Sequence, residues 1–240
     1  MKYILLFIIT PITLSTLAQE STVGLRNEFS QISKYTYGRQ SGFEGLQSFS
    51  SKQIRGSQFY FPSWSNGSLL VDSNEVTASD FQFLYDKVRQ ELFMKQKDST
   101  VVLLADKGRI RGFSLVNNGS HNFEVASNYN PADKTNFYEV LVKSDNGYTL
   151  LKLVKTKFVK FDPTDMMKVK AGDTYDEFQD DISYFISYKL KSPQLIKLND
   201  NSIKKVLATE KGKVNSFITD YYNAERNEDF LIRLITSLNQ

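Results

Sequence analysis

Residues 171–181, reading AGDTYDEFQDD, hold five acids: Asp173, Asp176, Glu177, Asp180 and Asp181. They are the densest run of hard oxygen donors in the chain, so the first chemistry to weigh is a calcium site. The run lacks the alternating Asp-x-Asp-x-Asp-Gly order of a calcium loop, and Gly172 precedes the acids instead of standing at the loop centre. A solvated connector leading into a strand at 182–190 is the simpler reading, and no metal ligands are assigned. The chain has no cysteine and a single histidine, His121, which argues against zinc or iron.

His121 lies in VNNGSHNF, a turn-like stretch, and is expected as an exposed loop residue rather than a catalytic base. No serine stands in a Gly-x-Ser-x-Gly elbow. Gly108 and Gly112 in DKGRIRGF lack the Gly-Lys-Ser/Thr ending of a phosphate loop and read as turn and strand glycines. Asn66-Gly67-Ser68 and Asn118-Gly119-Ser120 read as turns. A carboxylate pair for glycoside chemistry is a matter of distance in space, and nothing in the sequence singles one out. No catalytic residue and no cofactor is therefore assigned.

Two stretches are candidates for binding instead. In LKLVKTKFVKF, Lys152, Lys155, Lys157 and Lys160 can meet an anionic lipid or polysaccharide surface if a bulge aligns them, since 155 and 157 share one strand parity and 152 and 160 the other. The competing reading is an edge strand whose lysines discourage pairing with another edge. In FYFPSW, Phe59, Tyr60 and Trp64 can be displayed to a partner or packed around Pro62, and packing is preferred.

The elements that must position these residues follow from composition and periodicity. Lys2, an apolar run from Tyr3 to Leu14 and the Thr16-Leu17-Ala18 pattern read as a signal peptide over residues 1–18. The run is shorter than the roughly 20 residues of a spanning helix. An exported chain without cysteine has neither disulfides nor a lipid-modified cysteine, so packing must stabilise it. A formal charge of +3 over 240 residues is too mild for a dedicated nucleic-acid binder.

Residues 19–55 read as a loosely ordered lead-in and 56–198 as a β-rich domain. Strand-like runs recur at 58–61, 68–72, 81–85, 90–95, 100–105, 110–115, 122–126, 137–143 and 149–158. Asp145-Asn146-Gly147 predicts a hairpin through residues that tolerate positive φ. FQFLYDKVRQELFMKQ fits a helix or strands, and the alternation of Phe81, Phe83 and Tyr85 favours strands. Residues 199–240 switch to a helical period, with Asn201 or Ser202 as one cap and Asn227 as another. The fold class expected is α+β, with an antiparallel twisted or barrel-like sheet followed by two or three helices.

The succession GSQFYFPSWSNGSLL, FLYDKVRQELFMK, DSTVVLLADKGRIRGFSL and FITDYYNAERNEDFLIRLITSLNQ resembles a group of uncharacterised exported envelope proteins of Bacteroidota. The resemblance covers residues 56–240 and rests on pattern, without a catalytic signature. It implies a periplasmic or outer-membrane-associated location. No activity and no functional residue follow from it. The expected function is a non-enzymatic envelope protein that binds a partner protein, lipid or polysaccharide. The alternatives are a carrier of an apolar ligand in a β-lined cavity and an enzyme with an unfamiliar polar site.

Overall fold

The computed structural model describes residues 36–41, 54–71, 74–77, 80–172 and 174–240. The expected signal peptide and most of the lead-in lie outside them. Two short strands fall within that lead-in, β1 (Thr36–Ser41) and β2 (Ile54–Arg55).

The aromatic and β-branched runs form two open sheets, not one closed barrel. The small sheet has the order β1-β7-β6-β5, from β5 (Phe81–Asp86), β6 (Glu91–Gln96) and β7 (Val101–Ala105). The large sheet runs β13-β12-β11-β10-β9-β8-β3-β4, and β2 pairs with β12. Its members are β3 (Asn66–Val71), β4 (Asn74–Thr77), β8 (Gly112–Val116), β9 (Ser120–Val125), β10 (Phe137–Val142), β11 (Tyr148–Val159), β12 (Asp176–Tyr188) and β13 (Gln194–Ile196). Pairing is antiparallel except between β2 and β12. The ambiguous stretch at 81–96 is the β5–β6 hairpin, turning at Lys87–Gln90.

Residues 58–61 form no strand of their own. They border β5 through isolated bonds, with Tyr60 N–H donating to Tyr85 O at 2.9 Å and Ser65 N–H to Phe83 O at 2.9 Å. The same segment then continues as β3, so one stretch of chain edges both sheets. Asn66-Gly67-Ser68 therefore lies in a strand rather than a turn, and a side chain at Gly67 would collide with the Ser114 carbonyl.

Period-two alternation sets the packing. Phe81, Phe83 and Tyr85 are buried, and the Tyr85 ring lies 5.2 Å from both Phe113 and Phe123 on the large sheet. Phe113 and Phe123 stack at 4.7 Å, with Phe137 edge-on to Phe113. On the opposite face of the small sheet, Leu84, Phe93 and Val102 pack with Phe59, Trp64 and Leu104.

Four α-helices complete the described fold. The first, α1 (Met166–Ala171), lies in the loop between β11 and β12. The other three, α2 (Asp200–Val206), α3 (Lys211–Asp220) and α4 (Glu228–Leu238), share a core with the sheet. Ile203, Val214, Leu231, Leu234 and Ile235 bury their side chains with Leu150, Ile186 and Ile196. Asn227 caps α4 by accepting from Phe230 N–H at 3.0 Å, as the sequence predicts. The cap of α2 is Asn199, not Asn201 or Ser202.

Candidate functional site

A polar cluster lies where the large sheet meets both the 58–65 segment and the helices. Strand register explains it. Glu139 pairs across with Lys152, which pairs with Tyr184, so three polar side chains line up on one face over β10, β11 and β12. From the other side of Glu139 comes His121 of β9, and Glu228 enters from the first turn of α4.

The contacts are closed on one another. Tyr60 O–H donates to Glu139 Oε2 at 2.8 Å, and His121 Nδ1 lies 2.7 Å from Glu139 Oε1. Lys152 Nζ lies 3.4 Å from Glu139 Oε2 and 2.8 Å from Glu228 Oε2. Tyr184 O–H donates to Glu228 Oε2 at 2.9 Å. Glu139 is 4% exposed, so its charge depends on these partners.

Burial opposes the charge of Lys152, yet the hydrogen bond to Glu228 and the attraction of both carboxylates hold its pKa above the usual lysine range. Burial, and then the charge of Glu139, push Tyr60 far up. Tyr184 rises through burial and its bond to Glu228. Both phenols stay protonated donors.

This arrangement bears on three sequence expectations. His121 is a half-buried residue of β9 held by a carboxylate, not an exposed loop residue. Lys152 is drawn into ion pairs, which removes it from any anionic-surface patch. The β11–β12 register runs without a bulge, so the four lysines do not align: Lys155, Lys157 and Lys160 are exposed while Lys152 is inside. Phe59 and Trp64 are half-buried in packing, and Tyr60 belongs to the cluster.

A histidine held at one nitrogen by a buried carboxylate resembles the orienting half of a general base. The three described clefts, of about 190, 310 and 380 Å³, are lined by other residues and do not reach it. Every charged member of the cluster is satisfied by another. The physical role this supports is a joint that fixes the helices to the sheet.

The acidic run resolves differently from a connector. Asp176–Asp181 form the first half of β12, where alternation sends neighbouring side chains to opposite faces. Asp176 accepts from Phe161 N–H at 2.8 Å, and Asp180 pairs with Lys87 at 2.7 Å. Among the described residues no group of three or more potential ligands converges.

The second candidate is the arm made by β11 and β12. The two strands pair continuously from Tyr148↔Tyr188 to Val159↔Glu177, whereas β10 accompanies β11 only at residues 150–152. Beyond Lys152 the hairpin outruns its neighbour, and Gln90 Nε2–H donates to Val154 O at 2.9 Å in place of a strand. Lys155 and Lys157 line the edge left open, in keeping with the edge-strand reading.

At the base of the tip, β2 braces β12, and Arg55 lies 3.6 Å over the Tyr175 ring. The tip carries α1, started by Asp165, which accepts from Met167 and Lys168 N–H, and ended by Gly172 at φ +77°. Its apolar side chains face water: Met166 is 61% exposed, Met167 84% and Val169 38%. Sequence reading missed this tip because a six-residue helix is too short to show a periodic stripe. The signal available was Met166-Met167 beside Lys168 and Lys170.

No protein family, curated protein or solved structure matches this chain. No helix of the described residues is long and apolar enough to cross a membrane.

Proposed function

We propose that this chain is an exported envelope protein of non-enzymatic type that binds an envelope partner through the β11–β12 arm. The observation that carries the reading is the projecting hairpin with Met166, Met167 and Val169 exposed at its end. Covering side chains of this kind stabilises a contact, so three of them exposed within four residues at a capped tip offer a surface that a partner can bury. The resemblance to exported envelope proteins and the apolar N-terminal run agree with this location.

The carrier alternative expects a closed apolar cavity. The space between the two sheets is instead filled by Phe81, Phe83, Met94, Leu115 and Phe137, each under 2% exposed, and the described clefts open to solvent. An enzyme would need a cleft and a nucleophile beside His121.

The test is to replace residues 160–175 with a short Asn-Gly turn joining Val159 to Asp176. Association with native envelope fractions is expected to fall to background, while circular dichroism and the thermal midpoint stay near those of the parent. Undiminished association of the shortened chain would refute the proposal.

A further inference from the structure

We propose that the fold singles out Asn118 among its Asn-Gly pairs as a site of spontaneous covalent modification, converted through a cyclic imide to aspartate and isoaspartate, independently of any role of the β11–β12 arm. The chain holds three such pairs, Asn66-Gly67, Asn118-Gly119 and Asn146-Gly147. Glycine leaves the nitrogen that follows asparagine open to approach, because no Cβ shields it. In the reaction the glycine nitrogen attacks the asparagine Cγ and a C–N bond forms. The side-chain amide leaves as ammonia, taking the glycine N–H proton with it. Water then opens one of the two C–N bonds of the imide ring and gives aspartate or isoaspartate. All three pairs have the groups for this chemistry, and they differ in what surrounds them.

Ring closure must rotate the peptide between the two residues, so the freedom of that peptide sets the rate. Asn66-Gly67 lies in β3, paired with Val116 and Leu115 of β8, and the Ser114 carbonyl occupies the place of a Gly67 side chain. A strand with neighbours on both sides cannot make the rotation without opening. Asn146 is exposed, but Gly147 is fenced by Asn239 and Ser144, and its carbonyl accepts from Lys189 N–H at 2.8 Å. The Asn239 amide also holds both backbone polar groups of Tyr148. Rotation there has to break contacts to the end of α4 and to Lys189.

Asn118-Gly119 lies at the tip of the loop between β8 and β9, and both residues are exposed. Asn118 stands at φ +52° and Gly119 at +140°, and nothing beyond its chain neighbours lies within 4 Å of where a Gly119 side chain would stand. Among the described residues the Asn118 side chain makes no hydrogen bond, and Gly119 N–H donates to none. The bond that Gly119 does make runs inside the loop, from Asn117 N–H to its carbonyl at 3.0 Å. The attacking nitrogen and the amide it attacks are thus both free, in the part of a hairpin that opens at least cost. Isoaspartate adds a carbon to the main chain of this loop and a negative charge beside the strand that carries His121 to Glu139.

The test is to incubate the full chain in mildly alkaline buffer and follow the three Asn-Gly peptides by mass spectrometry, with isoaspartate identified by its fragmentation, beside a sample kept unfolded in urea. In the folded chain Asn118 is expected to convert at least about tenfold faster than Asn66 and Asn146, because those two react only through local opening. In urea the three rates should converge, since glycine follows each asparagine. Asn118→Gln should remove the fast conversion and leave the other two sites as they were. Asn239→Ala should raise the rate at Asn146 by about fivefold while leaving Asn118 unchanged. Equal rates in the folded chain, or faster conversion at Asn146 than at Asn118, overturn the proposal. A preference for Asn118 that survives in urea overturns it too, because local sequence and not the fold would then set the choice. An Asn146 rate unmoved by Asn239→Ala overturns the clamp that sets the two loops apart.

Discussion

Gln90 shows how one side chain can hold two sheets. It stands at φ +56°, and both ends of its buried amide are used. Its Oε1 accepts from Tyr85 O–H at 2.8 Å and Phe137 N–H at 3.2 Å, and its Nε2–H donates to Lys87 O and Val154 O. Gln90→Leu leaves these groups buried without partners, and a loss of about 2–4 kcal/mol is expected in urea unfolding. Lys152→Met should cost about 3 kcal/mol, because Glu139 keeps a buried charge with its cation gone. Adding Glu139→Gln and Glu228→Gln should recover much of that loss, a result a simple cavity effect would not give. The tyrosines set the alkaline limit. Folded Tyr60, Tyr85 and Tyr184 have pKa values raised above the unfolded value of 10.0. Their contribution is thus intact below pH 10 and is lost as pH climbs above it, when the unfolded chain ionises first. Lys152, also raised, acts in the same direction. Tyr60→Phe with Tyr184→Phe should flatten the fall of stability above pH 10. An unchanged slope would contradict this account.

At the scale of elements, Asp145-Asn146-Gly147 is the hairpin turn that its residues suggest, although the reason differs from the one the sequence offers. Neither Asn146 nor Gly147 has positive φ. The Asn239 amide lies against Gly147, donating to Tyr148 O and accepting from Tyr148 N–H, both at 2.8 Å. The end of α4 thereby clamps a turn that lies far away in sequence, and Asn239→Ala should loosen it by about 1–3 kcal/mol, read as faster amide exchange at Tyr148. Gly56 matters at the arm for the opposite reason: it does sit at φ +75°, and a Cβ there would lie 2.5 Å from Phe178 O. Gly56→Ala should release the β2 brace while leaving the sheet cores intact. These particulars show what local pattern reveals. Alternation located β5 to β11, and an Asn followed by two acids located α4. Pattern could not reveal that Asp176–Asp181 continue a strand, since charged residues are common in connectors and become strand residues here only because β11 extends to meet them. Glu139 was hidden in a run of apolar neighbours, although an acid sharing parity with Phe137 was a clue to a buried ion pair.

For the whole molecule, the helices belong to the β structure. The described residues form one compact unit, and α2 to α4 cover Leu150, Ile186 and Ile196. A chain ending at residue 198 would expose that surface and take Glu228 from Lys152 and Tyr184, so it is expected to lose near-ultraviolet dichroism and become protease-sensitive. Leu231→Ala in the full chain should cost about 2–5 kcal/mol. The brace of β2 on β12 has a further consequence, one of timing. Arg55 meets Tyr175 across 120 residues of sequence, and closing so large a loop is slow and entropically costly. A chain emerging N-terminus first cannot set the arm until most of its length is free. The tip gains this support only once both ends of that long loop are available to pair.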